Sequence, residues 1–169
     1  MAARTLPEGV RVAILADTDV VAVRRQARNL GEQLGFSLSD RTLLATAVSE
    51  LARNIVQYAR TGNVELMPFN HVDRVGVSIV AEDEGPGIAD LTLALQDGYS
   101  TSGSLGLGLP GVKRLMDDFE IVSAPGEGTR IYACMSISSS PLGASTRPRT
   151  TAVRSAAAGT RAKRVRRSR

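Results

Sequence analysis

The sequence is poor in the residues that build disulfide-linked or metal-held folds. Its 169 residues include one cysteine, Cys134, and one histidine, His71. A single cysteine cannot form an internal disulfide or a cysteine-based zinc site, which favours a cytoplasmic location. Cys134 is predicted to be a small buried residue of a strand. His71 falls in a predicted turn with no second imidazole, so it is most simply an exposed turn residue.

Long apolar runs are also absent. No stretch of 18 or more uninterrupted apolar residues occurs, which excludes a membrane-spanning helix. The N-terminal residues lack an apolar segment of the kind that a secretory signal requires. A composition of 43% hydrophobic and 22% charged residues predicts a soluble globular protein.

Acidic residues are missing from the C-terminal segment alone. Residues 139–169 carry nine basic residues and no acidic one, whereas residues 1–138 carry 12 basic and 17 acidic residues, a net charge of −5. The tail has few large apolar residues, so we expect it to be disordered. It could make at most a weak, salt-sensitive contact with nucleic acid, and a solvated extension is the alternative. We therefore predict a flexible N-terminus over 1–8, one domain over 9–138 and a basic tail over 139–169.

Hydrophobic periodicity predicts a mixture of helices and strands. Strands are expected at 9–15, 63–69, 74–81, 119–123 and 128–137. Helices are expected from an N-cap at Thr18 or Asp19 to Leu34, from Ser39-Asp40 to just before Gly62, at 90–96 and at 110–117. This order favours an α+β two-layer sandwich over a Rossmann sheet.

The first chemical motif is Glu50 with Asn54 on the second helix. A spacing of four residues places both on one side of the helix, at the edge of its apolar stripe. There, a carboxylate could activate a hydroxyl group, and an amide oxygen could help to hold Mg²⁺. The alternative is an exposed polar flank.

The second motif is Asp83 with Gly85 and Gly87. Asp83 continues the inward-facing parity of the preceding strand, where a carboxylate is costly unless it accepts hydrogen bonds. A purine amino group would satisfy it, and the glycines would let a ring approach the backbone. The alternative is an ordinary strand-to-turn exit.

The third motif is a glycine-rich loop that leads into a helix. Its Gly106, Leu107 and Gly108 precede the helix that contains Lys113, and free amides at a helix N-terminus can bind phosphates. The loop is neither a Walker A loop nor a Rossmann loop, since no Gly-Lys-Ser/Thr follows and no βαβ unit surrounds it. The alternatives are a flexible linker and a solvated lysine.

Taken in order, the motifs resemble those of the GHKL ATPase/kinase superfamily, over roughly residues 9–137. Glu50–Asn54 matches its N-box, Asp83–Gly87 its G1 box and Gly106–Gly108 its G2 box, and Thr129 matches a final nucleotide-contacting threonine. The stretches Ser49–Ile55, Ala81–Ile88 and Ser100–Asp117 further resemble RsbT-type switch serine/threonine kinases, relatives of the anti-sigma factor kinases. The resemblance implies a Bergerat fold, with helices on one face of a mixed sheet.

The resemblance also implies roles for individual residues. Glu50 would be the general base, and Asn54 would bind Mg²⁺ that bridges the phosphates of ATP. Asp83 would bind the adenine amino group, and Thr129 would close the adenine side. The remaining nucleotide contacts would come from the glycines of the pocket and from a mobile lid over 98–108 with the helix behind it: Gly85, Gly87, Ser102, Gly103, Gly106, Leu107, Gly108 and Lys113.

The family resemblance implies partners as well. The expected substrate is a STAS-domain antagonist phosphorylated on Ser or Thr, and a PPM-type phosphatase is the expected second partner. No membrane partner is expected. A single histidine, His71, argues against a histidine kinase. The alternative is a nucleotide-dependent binding module that sequesters or activates a protein partner with little catalysis.

Overall fold

The structure is a computed structural model that describes residues 5–97, 107–138 and 150–155. Its strands are β1 (Val10–Ile14), β2 (Gly62–His71), β3 (Arg74–Asp83), β4 (Asp118–Ser123), β5 (Thr129–Ser138) and β6 (Thr150–Ser155). Its helices are α1 (Asp17–Leu34), α2 (Leu38–Asn54), α3 (Leu91–Ala94) and α4 (Gly108–Leu115). A π-helical turn, Ile55–Ala59, extends α2. None of the helices in the described ranges is long and apolar enough to cross a membrane.

The strands form one sheet in the order β1-β2-β3-β5-β4-β6. All neighbouring pairs are antiparallel except β4 and β6, which are parallel. Alternate residues of β3 (Val75, Val77, Ile79 and Ala81) are buried in one core with the apolar faces of α1 and α2. The α+β two-layer prediction is confirmed, because the pleat of the sheet turns one apolar face toward the helices.

All four helix starts differ from the prediction: α3 begins at Leu91 and α4 at Gly108, and the starts of α1 and α2 are set by side chains. α1 is capped by Ala16 rather than by Thr18 or Asp19, since the Asp19 carboxylate reaches back to accept from the backbone N–H groups of Leu15 and Ala16. α2 begins one residue before Ser39, because the Ser37 side chain accepts from the Asp40 N–H at 3.0 Å. Ser37 thus binds a free amide of the first turn of α2, whereas Asp19, in the first turn of α1, binds the two amides that precede the helix.

The predicted buried cysteine is confirmed. Cys134 is 2% exposed, and its thiol donates to the Asp118 carboxylate at 3.1 Å. Burial and this carboxylate raise the pKa of Cys134 to about 12. The thiol is therefore uncharged at neutral pH. His71 is exposed, as predicted, but it is the last residue of β2 rather than part of the turn.

The prediction that the whole tail lacks order is wrong for residues 150–155. These residues form β6, which pairs with the edge of β4 from Asp118 to Ser123. Backbone pairing with an open sheet edge needs little apolar burial, so composition alone missed it. Residues 139–149 and 156–169 of the predicted tail lie outside the described residues.

Removing β6 is expected to lower stability only slightly. Val153 remains 45% exposed, so β6 is held mainly through its backbone. A chain ending at Ser138 should melt about 2–4 °C lower, for a loss on the order of 1 kcal/mol. A chain ending at Ser155 is the matched control and should melt like the full protein. Loss of folding in the shorter chain, measured by thermal unfolding, would contradict this account.

Candidate active site

A cavity of about 500 Å³ lies between α2, the end of β3, the loop that follows β3 and the start of α4. It brings together residues from all three predicted motifs, although they are far apart in the sequence. The predicted site residues that line it are Glu50, Asn54, Asp83, Gly87, Gly108 and Thr129. The three motifs therefore belong to one site.

Glu50 lies at one end of this cavity and is 7% exposed. One of its carboxylate oxygens accepts from the Arg53 guanidinium at 3.0 Å, and the other accepts from the Gly108 backbone N–H at 3.2 Å. These donors offset the cost of burying the charge. The carboxylate is thus fixed against the first residue of α4. Arg53 received no role from the sequence, although its i,i+3 spacing from Glu50 was a visible signal.

Immediately after Asn54 the helix widens into the π-helical turn Ile55–Ala59, where the sequence predicted a continuous helix. The turn ends at Arg60, whose φ of 69° is unusual for a residue other than glycine. The turn adds Gln57 and Tyr58 to the cavity lining, which the sequence analysis missed. π-turns within helices occur frequently at functional sites.

Asp83 lies at the other end of the cavity, on the inward face of β3. Its Oδ1 atom accepts from the Gly85 backbone N–H at 2.9 Å, and the Thr129 backbone N–H also donates to this carboxylate. Burial raises the pKa of Asp83, and these two backbone hydrogen bonds partly oppose that effect. Asp83 is therefore a partly buried acceptor with capacity left for a ligand that donates.

Gly85 and Gly87 allow the loop after β3 to lie close to Ala59 and Ala124. A Cβ atom on Gly85 would lie 2.6 Å from the Cβ atom of Ala59, in the π-helical turn. Gly87 has a φ of +71°, and a Cβ atom there would lie 1.9 Å from the carbonyl oxygen of Ala124. Only glycine fits either position without movement of the backbone.

Gly87→Ala is expected to be strongly destabilising, because it combines an unfavourable φ with a backbone clash. Gly126→Ala is the matched control, since Gly126 has a φ of +79° but open space around its Cβ position. We expect Gly126→Ala to cost about 1 kcal/mol and Gly87→Ala at least twice that amount. Urea unfolding of both variants measures the difference. Equal losses would show that the close approach to Ala124 is unimportant.

A buried hydroxyl group supports the Asp83 end, and the sequence analysis missed it. Ser123, at the end of β4, is 1% exposed. Its Oγ atom accepts from the Ile88 N–H at 2.9 Å, donates to the Gly128 carbonyl at 2.8 Å and lies 2.9 Å from the Thr129 hydroxyl. No sequence pattern marked this serine, because its partners come from two separate loops.

The remaining predicted site residues lie elsewhere. Among the described residues, Gly85, Leu107 and Lys113 do not line the cavity. Gly85 donates its backbone N–H to Asp83. Leu107 is the N-cap of α4, and Lys113 lies within that helix. Ser102, Gly103 and Gly106 lie outside the described residues.

The side-chain oxygen atoms that line the cavity fit a nucleotide with bound Mg²⁺. Asp83 offers an acceptor beside apolar Ile88 and Ile131, as the amino edge of a purine requires. At the other end, the Asn54 side chain offers an amide oxygen, a kind of ligand that Mg²⁺ prefers. Within the described ranges, no group of three or more His, Cys, Asp and Glu residues could hold a metal alone. Phosphate and water oxygens would therefore complete its coordination, which suits Mg²⁺.

Comparisons with known proteins identify what the chain is similar to. A family model for the histidine kinase-like ATPase domain matches residues 15–135. The serine/threonine-protein kinase RsbT of Bacillus subtilis is 49% identical over 122 residues, which cover 72% of this chain and 92% of that protein. An anti-sigma F factor of Halalkalibacterium halodurans is 30% identical over 105 residues, covering 59% of this chain and 72% of that protein. The structure of the mycobacterial sensor histidine kinase MprB covers 76% of this chain and 96% of its own, with 19% identity and a TM-score of 0.42.

The chain belongs to the family of histidine kinase-like ATPase domains. The GHKL fold predicted from the three motifs is thus confirmed. Within this family, the chain is an RsbT-type serine/threonine protein kinase. The predicted kinase class and the use of ATP follow from this membership.

Proposed function

We propose that this kinase transfers the γ-phosphoryl group of Mg-ATP to a serine or threonine of a STAS-domain antagonist. One observation carries the proposal: Glu50 and Asn54 face the same cavity as Asp83 and Thr129. A possible base and a possible metal ligand therefore lie at one end, and an acceptor for a purine amino group lies at the other. Phosphoryl transfer depends chiefly on this kind of positioning and on charge neutralisation.

The Asp83 end is proposed to bind adenine. The carboxylate would accept from the exocyclic amino group, with Thr129 beside it. Ile88 and Ile131 offer apolar contacts to the ring, and Gly87 lets the loop after β3 pass close to Ala124. A hydrogen bond to a charged acceptor in a partly buried site is stronger than an exposed neutral one.

The Glu50 end is proposed to carry the chemistry. The acceptor hydroxyl of the substrate loses its proton to the Glu50 carboxylate as its oxygen bonds to the γ-phosphorus, and ADP leaves. Arg53 keeps the carboxylate in place. The Asn54 amide oxygen is proposed to bind Mg²⁺, which neutralises phosphate charge. The Gly108 amide, which donates to Glu50 in this structure, is proposed to exchange that hydrogen bond for one to a phosphate when ATP binds.

The partners are proposed from the family. Similarity to RsbT and to an anti-sigma F factor supports a partner-switching module, in which the kinase also binds and activates a PPM-type phosphatase. Nucleotide contacts from Ser102, Gly103, Gly106, Leu107 and Lys113 remain part of the proposal. The weak contact of the basic tail with nucleic acid also remains a proposal.

Labelled-phosphate transfer from ATP to a co-encoded STAS-domain protein tests the proposal. We expect label on one serine or threonine, loss of labelling when that residue is changed to alanine, and loss on chelation of Mg²⁺. A chain that binds ATP and the STAS-domain protein but transfers no label would contradict phosphotransfer. That result would favour the alternative of a nucleotide-dependent binding module, which the similarity to an anti-sigma factor supports.

A further inference from the structure

The buried hydroxyl group of Ser123 does not line the cavity. Its hydrogen bonds connect the end of β4 to the loop after β3 and to the start of β5, around the Asp83 end of the cavity. Ser123 and Thr129 are register partners across β4 and β5, and Thr129 and Asp83 are register partners across β5 and β3. Residues directly opposite in a sheet share a face. The side chains of Asp83, Thr129 and Ser123 therefore form one row, of which Ser123 is the member farthest from β3.

The hydrogen-bond partners of Ser123 fix where its proton lies. A serine hydroxyl has one proton to donate and two lone pairs that accept. The Ile88 N–H uses one lone pair, and the carbonyl oxygen of Gly128, which can only accept, takes the proton. The Thr129 hydroxyl, 2.9 Å away, must therefore donate its own proton to the second lone pair of Ser123.

This arrangement determines what Thr129 presents to the cavity. Its only hydroxyl proton points to Ser123, so its lone pairs are what a ligand meets. Asp83 beside it is also an acceptor, because the Gly85 and Thr129 backbone amides donate to its carboxylate. This end of the cavity thus presents acceptors side by side, which suits an amino group and repels a carbonyl.

We propose that Ser123 is a positioning residue for base selection: by taking the Thr129 proton, it makes Thr129 an acceptor that favours a purine with an exocyclic amino group. The inference rests on the proposed nucleotide site and deepens it. Without the Ser123 hydroxyl, the Thr129 hydroxyl is free to rotate and donate to a carbonyl in the same place. Recognition by polar groups of fixed direction discriminates more strongly than shape alone.

The test compares the binding of ADP and of inosine diphosphate, which carries a carbonyl in place of the amino group. We expect the wild type to prefer ADP, and Ser123→Ala to reduce the ratio of the two affinities about tenfold. Thr129→Val, which removes the hydroxyl at nearly constant volume, should reduce the same ratio. Ser123→Thr keeps the hydroxyl group and should retain the ratio within about threefold. Calorimetry or fluorescence measures both affinities for the wild type and for these three variants.

Ser49→Ala is the matched control. Ser49 is also buried, and its hydroxyl donates to the Ala45 carbonyl at 2.7 Å on α2, without lining the cavity. It should lower the melting temperature without changing the ratio. If Ser123→Ala and Thr129→Val weaken both nucleotides equally, Ser123 is only structural and the inference fails. If the wild type binds neither nucleotide, the proposed function itself fails.

Discussion

Glu50→Gln is expected to reduce phosphoryl transfer about 10²–10⁴-fold while leaving ADP affinity within about threefold of the wild type. The amide keeps the size of the side chain and an oxygen that can accept from Gly108, but it cannot take a proton from the substrate hydroxyl. The loss should therefore appear in kcat rather than in the KM for ATP. Steady-state phosphorylation of the STAS-domain protein measures both constants.

Glu65→Gln is the control for this change. Glu65 lies on β2 opposite Arg11, outside the cavity lining. Its replacement removes the same charge and should leave transfer unchanged. If Glu50→Gln transfers phosphate as fast as the wild type, then Glu50 is not the base. In that case, the contacts with Arg53 and Gly108 would be purely structural.

Asp83→Asn is expected to weaken ADP binding about 10–100-fold, the loss typical of a hydrogen bond to a charged group. The Asp83 carboxylate accepts from the backbone amides of Gly85 and Thr129 and still has lone pairs for a ligand. An asparagine has one accepting oxygen for these donors, and its NH₂ group would face the amino group of adenine. Calorimetric titration with ADP measures the loss.

Relative to the wild type, the same variant is expected to gain stability as the pH rises from acid to neutral. Burial raises the pKa of Asp83, so between the ordinary value of 3.8 and the raised value the folded state holds more protons than the unfolded state. The contribution of Asp83 to stability therefore falls as the pH rises through that window. Any advantage of Asp83→Asn should be present at pH 7 and vanish below pH 3.8. An advantage that appears only in acid would contradict the assigned cause.

Much of the site could be predicted from the sequence because its residues are fixed by local patterns. The spacing of Glu50 and Asn54 on a helix, and the parity of Asp83 along β3, depend on periods that the sequence displays. In the structure, Glu50, Asn54 and Asp83 line one cavity. The strong match of the three motifs to one family then gave the fold and the kinase class.

Two of the features that were missed depend on contacts between distant segments. The Ser123 hydroxyl is meaningful only because the Ile88 and Gly128 backbones meet at the end of β4. β6 depends on an open edge of β4, which no composition of the tail reveals. The π-helical turn after Asn54 was missed for a local reason: the helix ends with this turn, so no later apolar positions show the change of period.

The most direct test of the central claim measures ADP binding and phosphoryl transfer side by side in the wild type, Glu50→Gln and Asp83→Asn. The proposed function places phosphoryl transfer at the Glu50 end of the cavity and base recognition at the Asp83 end. It predicts that Glu50→Gln binds ADP normally without transferring phosphate, whereas Asp83→Asn loses binding and, at subsaturating ATP, transfer with it. If Asp83→Asn binds ADP as tightly as the wild type, or if Glu50→Gln still transfers phosphate, this division of the cavity is wrong.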